Sequence, residues 1–173
     1  MTELNNFYEG YIAGLTDGEG SFNVTIQKSK SQKLGFYPHP RFEINMHEKE
    51  TKLMEFLKSV FPFGKVFNKT NESVRKKGRK ASDTVRFYVW GIVDCQKLIE
   101  FFTTYQLICK SKDFELWKKC IEIMKKNKHL TRYDFLKICK LRDKMNKPKE
   151  KKLKTYRDYF YFKKFFEMQG PNF

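Results

Sequence analysis

No two cysteines in the chain have the CxxC spacing, and no histidine stands at metal-ligand spacing from Cys95, Cys109, Cys120 or Cys139. That excludes the common zinc-binding and dithiol motifs. Cys120 and Cys139 fall within apolar helical patterns, where a free thiol behaves as a small core side chain. Unpaired cysteines of this kind suit a reducing intracellular compartment. Residues 1–10 are polar and acidic and do not have the form of a secretory signal, so none is expected. The longest apolar runs, around Leu98–Phe102 and Tyr159–Phe162, are far too short to span a bilayer. A soluble protein with no membrane partner is therefore expected. Acidic residues are scarce relative to basic ones, 20 against 36, which leaves a net charge of +16. Such an excess costs stability through self-repulsion, so a nucleic acid is the natural partner. The blander alternatives are a merely soluble basic protein or one held at acidic membranes. With 40% hydrophobic and 17% aromatic residues over 173 positions, the chain has enough apolar material for a real core.

Helical spacing of Phe7, Tyr11, Ile12 and Leu15 predicts a helix over 7–17. Gly10, Gly14 and Gly18 lie four apart, on one face of it. Each costs about 0.5–1 kcal/mol relative to alanine in a helix, so three on one face need a reason. The strongest is close approach of another backbone; a glycine-rich loop is the alternative. Residues 21–27 then alternate, with Phe22, Val24 and Ile26 apolar and Ser21, Asn23, Thr25 and Gln27 polar, as in a half-buried strand. Lys28–Pro40 reads as a polar connection. Arg41–His47 alternates again, with Phe42, Ile44 and Met46 apolar and Arg41, Glu43, Asn45 and His47 opposite. A helix over Lys49–Phe61 presents Leu53, Phe56, Leu57 and Val60, and Pro62 and Gly64 end it. Lys65–Asn71 and Thr84–Gly91 suggest a second hairpin around a basic tip of Arg75, Lys76, Lys77, Arg79 and Lys80. Helices are expected at about 94–105, 112–126 and 132–146, with a further amphipathic helix within 147–166. The class is α+β: two hairpins forming one antiparallel sheet backed by helices. No second copy of the opening motif and no other internal repeat is found.

Ile12-Ala13-Gly14-Leu15-Thr16-Asp17-Gly18-Glu19-Gly20, followed by Ser21-Phe22, resembles the LAGLIDADG motif of homing endonucleases and related maturases. Phe42-Glu43-Ile44-Asn45-Met46-His47 resembles the family's second strand, and Lys110-Ser111-Lys112-Asp113-Phe114 its lysine-bearing segment. His129-Leu130-Thr131 and the apolar positions up to Asn146 resemble its late helix. The resemblance implies a LAGLIDADG domain over 1–146 with an αββαββα core. Residues 147–173 would then form a basic, aromatic extension packing on or extending that domain. It also implies that two motif helices pack side by side through Gly10, Ala13 and Gly14, with Asp17 in a structural role at that interface. Because only one motif is present, the implied assembly is a homodimer on a roughly palindromic target.

The same resemblance assigns Glu19 as catalytic acid and metal ligand, with the Gly18 carbonyl beside it. Both are hard oxygen donors suited to Mg²⁺, or to another divalent ion such as Mn²⁺. Lys110 matches the family's active-site lysine and would stabilise phosphate charge, although only position separates it from Lys112. Met46 departs from the pattern, since the family often carries glutamine there. The implied reaction is a metal-dependent double-strand break with short 3′ overhangs, promoting intron homing. The polar strand faces fit a major groove. Ser21, Asn23, Thr25, Gln27, Arg41, Glu43, Asn45, His47, Arg86 and Tyr88 are the candidate readers. Lys28, Lys69, Arg75, Lys76 and Arg79 are candidates for phosphate. The alternatives are an intron maturase that binds RNA, or a DNA-binding protein that does not cut. The Lys, Phe, Asn and Tyr richness suits an AT-rich organellar genome, mitochondrial or chloroplast.

Overall fold

The structure, a computed structural model, describes residues 3–76, 78, 80, 82–126, 130–145 and 156–169, with backbone alone for 3–6, 73 and 74. The chain runs α1 (Glu3–Glu19), β1 (Gly20–Lys28), β2 (Phe36–His47), α2 (Thr51–Val60), β3 (Lys65–Lys69) and α3 (Glu72–Arg75). It continues with β4 (Thr84–Trp90), α4 (Ile92–Thr104), α5 (Ser111–Lys126), α6 (Arg132–Arg142) and α7 (Tyr159–Met168). The strands form one sheet in the order β1-β2-β4-β3. β4 pairs antiparallel with both neighbours; Asn45 faces Arg86 on one side and Phe67 faces it on the other. The expected α+β class and helix-backed sheet are what the chain forms.

By contact density the chain divides into two compact units, Met1–Ser21 with Arg41–Lys110, and Phe22–Pro40 with Ser111–Phe173. In the first, period-two burial sends Val85, Phe87 and Val89 of β4 and Phe42 and Ile44 of β2 inward. α2 and α4 pack against β4, bringing Phe61 to 6.2 Å from Phe87 and Phe102 to 5.7 Å from Phe42, centroid to centroid. Gly64 is required here, because a Cβ at that position would collide with the Phe87 ring. In the second unit, Phe22 of β1 packs on Phe114 and Trp117 of α5, and the Trp117 indole donates to the Asn23 carbonyl at 3.1 Å. A further cluster gathers Phe36, Phe135, Cys139, Phe162 and Phe166. The Thr131 hydroxyl and Asp134 form a capping box that starts α6. Cys120 and Cys139 are buried, and burial pushes both thiols up to about 12.

Several sequence expectations need correction. β2 begins at Phe36, so the connection expected over Lys28–Pro40 is half strand. Pro38 and Pro40 precede Arg41, where the register with β4 stops, so neither has to donate to β4. α2 buries Met54 and Leu57, while Val60 is exposed. A short α3 lies in the connection between β3 and β4. α6 ends at Arg142 with Asp143 as its C-cap, short of the expected residue 146. The C-terminal helix occupies Tyr159–Met168. There Asp143 accepts hydrogen bonds from the Tyr156 hydroxyl and the Tyr159 backbone, both at 2.6 Å. Lys77, Arg79 and His129, residues 146–155 and residues 170–173 lie outside the described residues.

Candidate functional site

α1 passes into β1 with no residue between them: Glu19 is the last helical position and Gly20 the first of the strand. A Cβ on Gly20 would lie 2.6 Å from the Thr16 carbonyl oxygen, so only glycine permits so abrupt a turn. Ile12, Ala13 and Thr16 of the helix are buried. Ala13, expected beside Gly10 and Gly14, is 8% exposed within the chain. At Gly10, Gly14 and Gly18 a Cβ would meet no atom within 4 Å among the described residues. Phe7, 70% exposed, and Tyr11, 47% exposed, accompany them. The glycine side of α1 is thus bare and partly apolar.

The C-terminal end of α1 carries Asp17, Gly18 and Glu19. Helix ends leave carbonyl oxygens without partners and collect negative potential. Here the Lys110 ammonium donates to the Asp17 and Gly18 carbonyls at 2.9 and 3.0 Å. In return the Asp17 carboxylate accepts backbone N–H bonds from Ile108 at 2.7 Å and Lys110 at 3.0 Å. Burial pushes the Asp17 carboxyl upward, but the backbone donors of Lys110, Ile108 and Cys109, with the Lys110 charge, outweigh it and hold the group below its ordinary value. Asp17 fastens the 108–110 segment to the helix. Glu19 is exposed. The end of α1 thereby offers one carboxylate and one carbonyl, hard oxygens both, next to a fixed ammonium. Among the described residues no group of three or more His, Cys, Asp or Glu gathers as a metal cluster.

The other candidates fall on strand faces. In the first unit Arg41, Phe67, Lys69, Arg86 and Tyr88 line a shallow pocket of about 220 Å³. Tyr88 stands 5.0 Å from Trp90, and the Lys65 ammonium sits 4.6 Å above the Trp90 ring. Glu43 is buried and ion-paired, 3.3 Å from Arg86 and 3.8 Å from Arg41. His47 is exposed, and its Nδ1 accepts from the Lys49 backbone at 3.3 Å. Arg75 is engaged with Asp83 at 2.6 Å and Lys76 with Glu72 at 2.8 Å. Ser21 is half-buried.

In the second unit Asn23 and Thr25 are half-buried. Gln27, Lys28, Ser29, Gln32, Tyr37 and His39 line an open pocket of about 300 Å³. Burial pushes the His39 imidazole below its ordinary value, toward the neutral form. Tyr37 and His39 were not legible as strand residues, because each is followed directly by a proline. Their alternation with Pro38 and Pro40, in phase with Phe42, was the available signal. Phe67, opposite Arg86 in the β3–β4 register, was also missed as a member of the polar face.

The sequence model of the LAGLIDADG endonuclease family matches residues 12–121. Among curated proteins, "Probable intron-encoded endonuclease 3" of Neurospora crassa is 30% identical over 78% of this chain and 24% of its own length. "Probable intron-encoded endonuclease 2" of the same organism is 32% identical over 83% of this chain and 30% of its own length. The chain therefore spans less than a third of either relative. Among solved structures, the meganuclease I-SmaMI bound to uncleaveable DNA is 31% identical, with a TM-score of 0.71 over 82% of this chain and 45% of that one. The archaeal intron-encoded homing endonuclease I-Vdi141I, complexed with DNA, shares the fold with a TM-score of 0.78 over 95% of this chain and 97% of that one, at 24% identity. A match that begins within α1, runs through every strand and reaches into α5 leaves one assignment: the chain belongs to the LAGLIDADG endonuclease family.

Proposed function

We propose that this chain is a site-specific, homodimeric DNA endonuclease that hydrolyses one phosphodiester on each strand of a long, roughly palindromic duplex. The carrying observation is the end of α1, where exposed Glu19 stands beside carbonyls that hold the Lys110 ammonium. An acid and a fixed cation at one point suit a reaction in which charge builds on phosphate oxygens. The bare glycine side of α1 supports a pair of such helices packing against each other, which gives one centre per strand. Gly10 and Gly14 would carry that contact, and Asp17 would keep the helix end rigid behind it.

The donor set fits a divalent hard cation. Glu19 is an oxygen ligand, and the Gly18 carbonyl would be a second once the Lys110 ammonium it now holds turns toward phosphate; one carboxylate per chain leaves positions for water and phosphate oxygens, as Mg²⁺ requires. Mn²⁺ accepts the same donors. When bound, the ion would supply Lewis-acid stabilisation of phosphate charge. The chain's own contributions are to hold that carboxylate at a rigid helix end and to aim the Lys110 ammonium. Short 3′ overhangs and a role in intron homing complete the proposal; similarity to relatives named as intron-encoded endonucleases supports the latter. A reducing intracellular compartment, organellar in line with the composition, belongs to it too.

The polar faces would read the duplex. Ser21, Asn23, Thr25, Gln27, Arg41, Asn45, Arg86 and Tyr88 would meet base edges, while Lys28, Lys69, Arg75 and Lys76 would meet phosphates. A plasmid carrying the uninterrupted insertion site tests the proposal. Linearisation with Mg²⁺ and none with EDTA is expected. Binding of intron RNA without any cleavage of the plasmid would favour a maturase instead.

A further inference from the structure

Glu43 looks like a base reader by position, since it alternates with Phe42 and Ile44 and shares a face with Arg41 and Asn45. Its surroundings say otherwise. The residue is only 8% exposed. Its Oε2 lies 3.3 Å from Nη1 of Arg86 and its Oε1 3.8 Å from Nη2 of Arg41, while both arginine side chains are about a third exposed, 28% and 30%. The carboxylate therefore sits beneath two guanidinium groups that reach the surface. Arg86 is held a second time, its Nε donating to Oδ1 of Asn45 at 2.7 Å across the register pair.

These contacts change what the face can offer a base edge. Ion-paired to the two arginines and with Oε2 buried, Glu43 does not present that oxygen to cytosine N4. The Asn45 oxygen already accepts from Nε of Arg86, which ties it to that arginine and disfavours the donor-plus-acceptor pair that adenine N6 and N7 require. What these four residues offer outward is dominated by donors: two guanidinium groups and one amide nitrogen. Guanine presents two acceptors, N7 and O6, in the major groove, and an arginine fork matches them. The buried carboxylate also cancels part of the repulsion between the arginines and limits their rotamers before binding.

We infer that Glu43 is a positioning residue that orders Arg41 and Arg86 into a donor-rich surface selective for guanine. This rests on the sheet face being a DNA surface. Selection of a randomised duplex pool in Ca²⁺, which would permit binding without cutting, tests both levels. The wild-type protein should enrich an invariant guanine in each half-site. Replacing that base by 7-deazaguanine, which removes N7 and keeps pairing, should weaken binding about tenfold. Glu43→Gln should keep overall duplex affinity within about threefold while guanine discrimination falls about tenfold and 7-deazaguanine ceases to matter. Asn45→Ala, which frees Nε of Arg86, should weaken the same preference and serves if Glu43→Gln melts early.

In an Arg41→Ala, Arg86→Ala background, Glu43→Gln should change the profile no further. An effect that persists there would mean that Glu43 reads cytosine itself and would overturn the inference, as would an unchanged profile in both single variants. Selective binding without any guanine preference sinks this inference alone, whereas a wild-type protein with no sequence preference on duplex DNA sinks the DNA-surface reading beneath it.

Discussion

Lys110 and Asp17 are joined in both directions: the lysine's backbone N–H donates to the aspartate's carboxylate, and its ammonium donates to the aspartate's carbonyl. The two residues are 93 positions apart in the chain. The exchange closes the end of α1 with a cation, where the helix dipole favours one. It also means that the candidate catalytic lysine is fixed by its main chain and by its side chain.

Asp17→Asn should destabilise the protein by about 1 kcal/mol at pH 7, since hydrogen bonds to an ionised acceptor exceed those to an amide. The folded-state pKa of Asp17 lies below the ordinary 3.8. Its contribution is therefore complete above that value and is lost as pH falls through the lower, folded value. Urea unfolding at a series of pH values should show the gap between wild type and Asp17→Asn closing only below about pH 3.8. A gap that persists unchanged into strong acid would contradict the depressed pKa.

Glu19→Gln should bind the target duplex with near wild-type affinity and lose cleavage by about 100-fold or more, the scale of removing one charge-stabilising group from an active site. Gel-shift and plasmid-linearisation assays on the same preparation separate the two. Cleavage at the original rate would remove Glu19 from the mechanism.

Gly14→Leu tests the bare side of α1. Within one chain a Cβ there would meet no described atom within 4 Å, and leucine is the better helix former. The folded protomer should therefore keep its circular dichroism. Sedimentation should nonetheless show a shift from dimer to monomer, with loss of double-strand breaks. A variant that still sediments as a dimer would place the subunit contact elsewhere.

Phe162→Ala removes a fully buried ring that packs 5.1 Å from Phe36 and 5.2 Å from Phe135. A loss of about 3–5 kcal/mol is expected from chemical denaturation. A loss under about 1 kcal/mol would mean that α7 adds little to the core around Phe36.

Strands β1 and β4 were legible because Phe22 and Val24, and Val85, Phe87 and Val89, keep strict period two against polar neighbours. The helix before β1 was legible from its apolar spacing, and the resemblance named Glu19 and Lys110. The first half of β2 was hidden by Pro38 and Pro40, because a proline's cost depends on whether a neighbouring strand needs its N–H, and one-dimensional spacing does not say. Glu43 had the right parity for a reader. Its burial depends on Arg86, brought alongside only by the β2–β4 register. Lys110 and Lys112 could be told apart only by position in the sequence. In the fold, Lys110 reaches the end of α1 while Lys112 is exposed in the first turn of α5.

The absence of any spacer between Glu19 and Gly20 has an evolutionary consequence. One residue inserted at that seam would rotate every side chain of β1 to the opposite side of the sheet. Lengthening the helix by one position would swing the acid about 100° around its axis. Length variation there is closed to drift, so β1 can change only by exchanging one side chain for another at fixed positions.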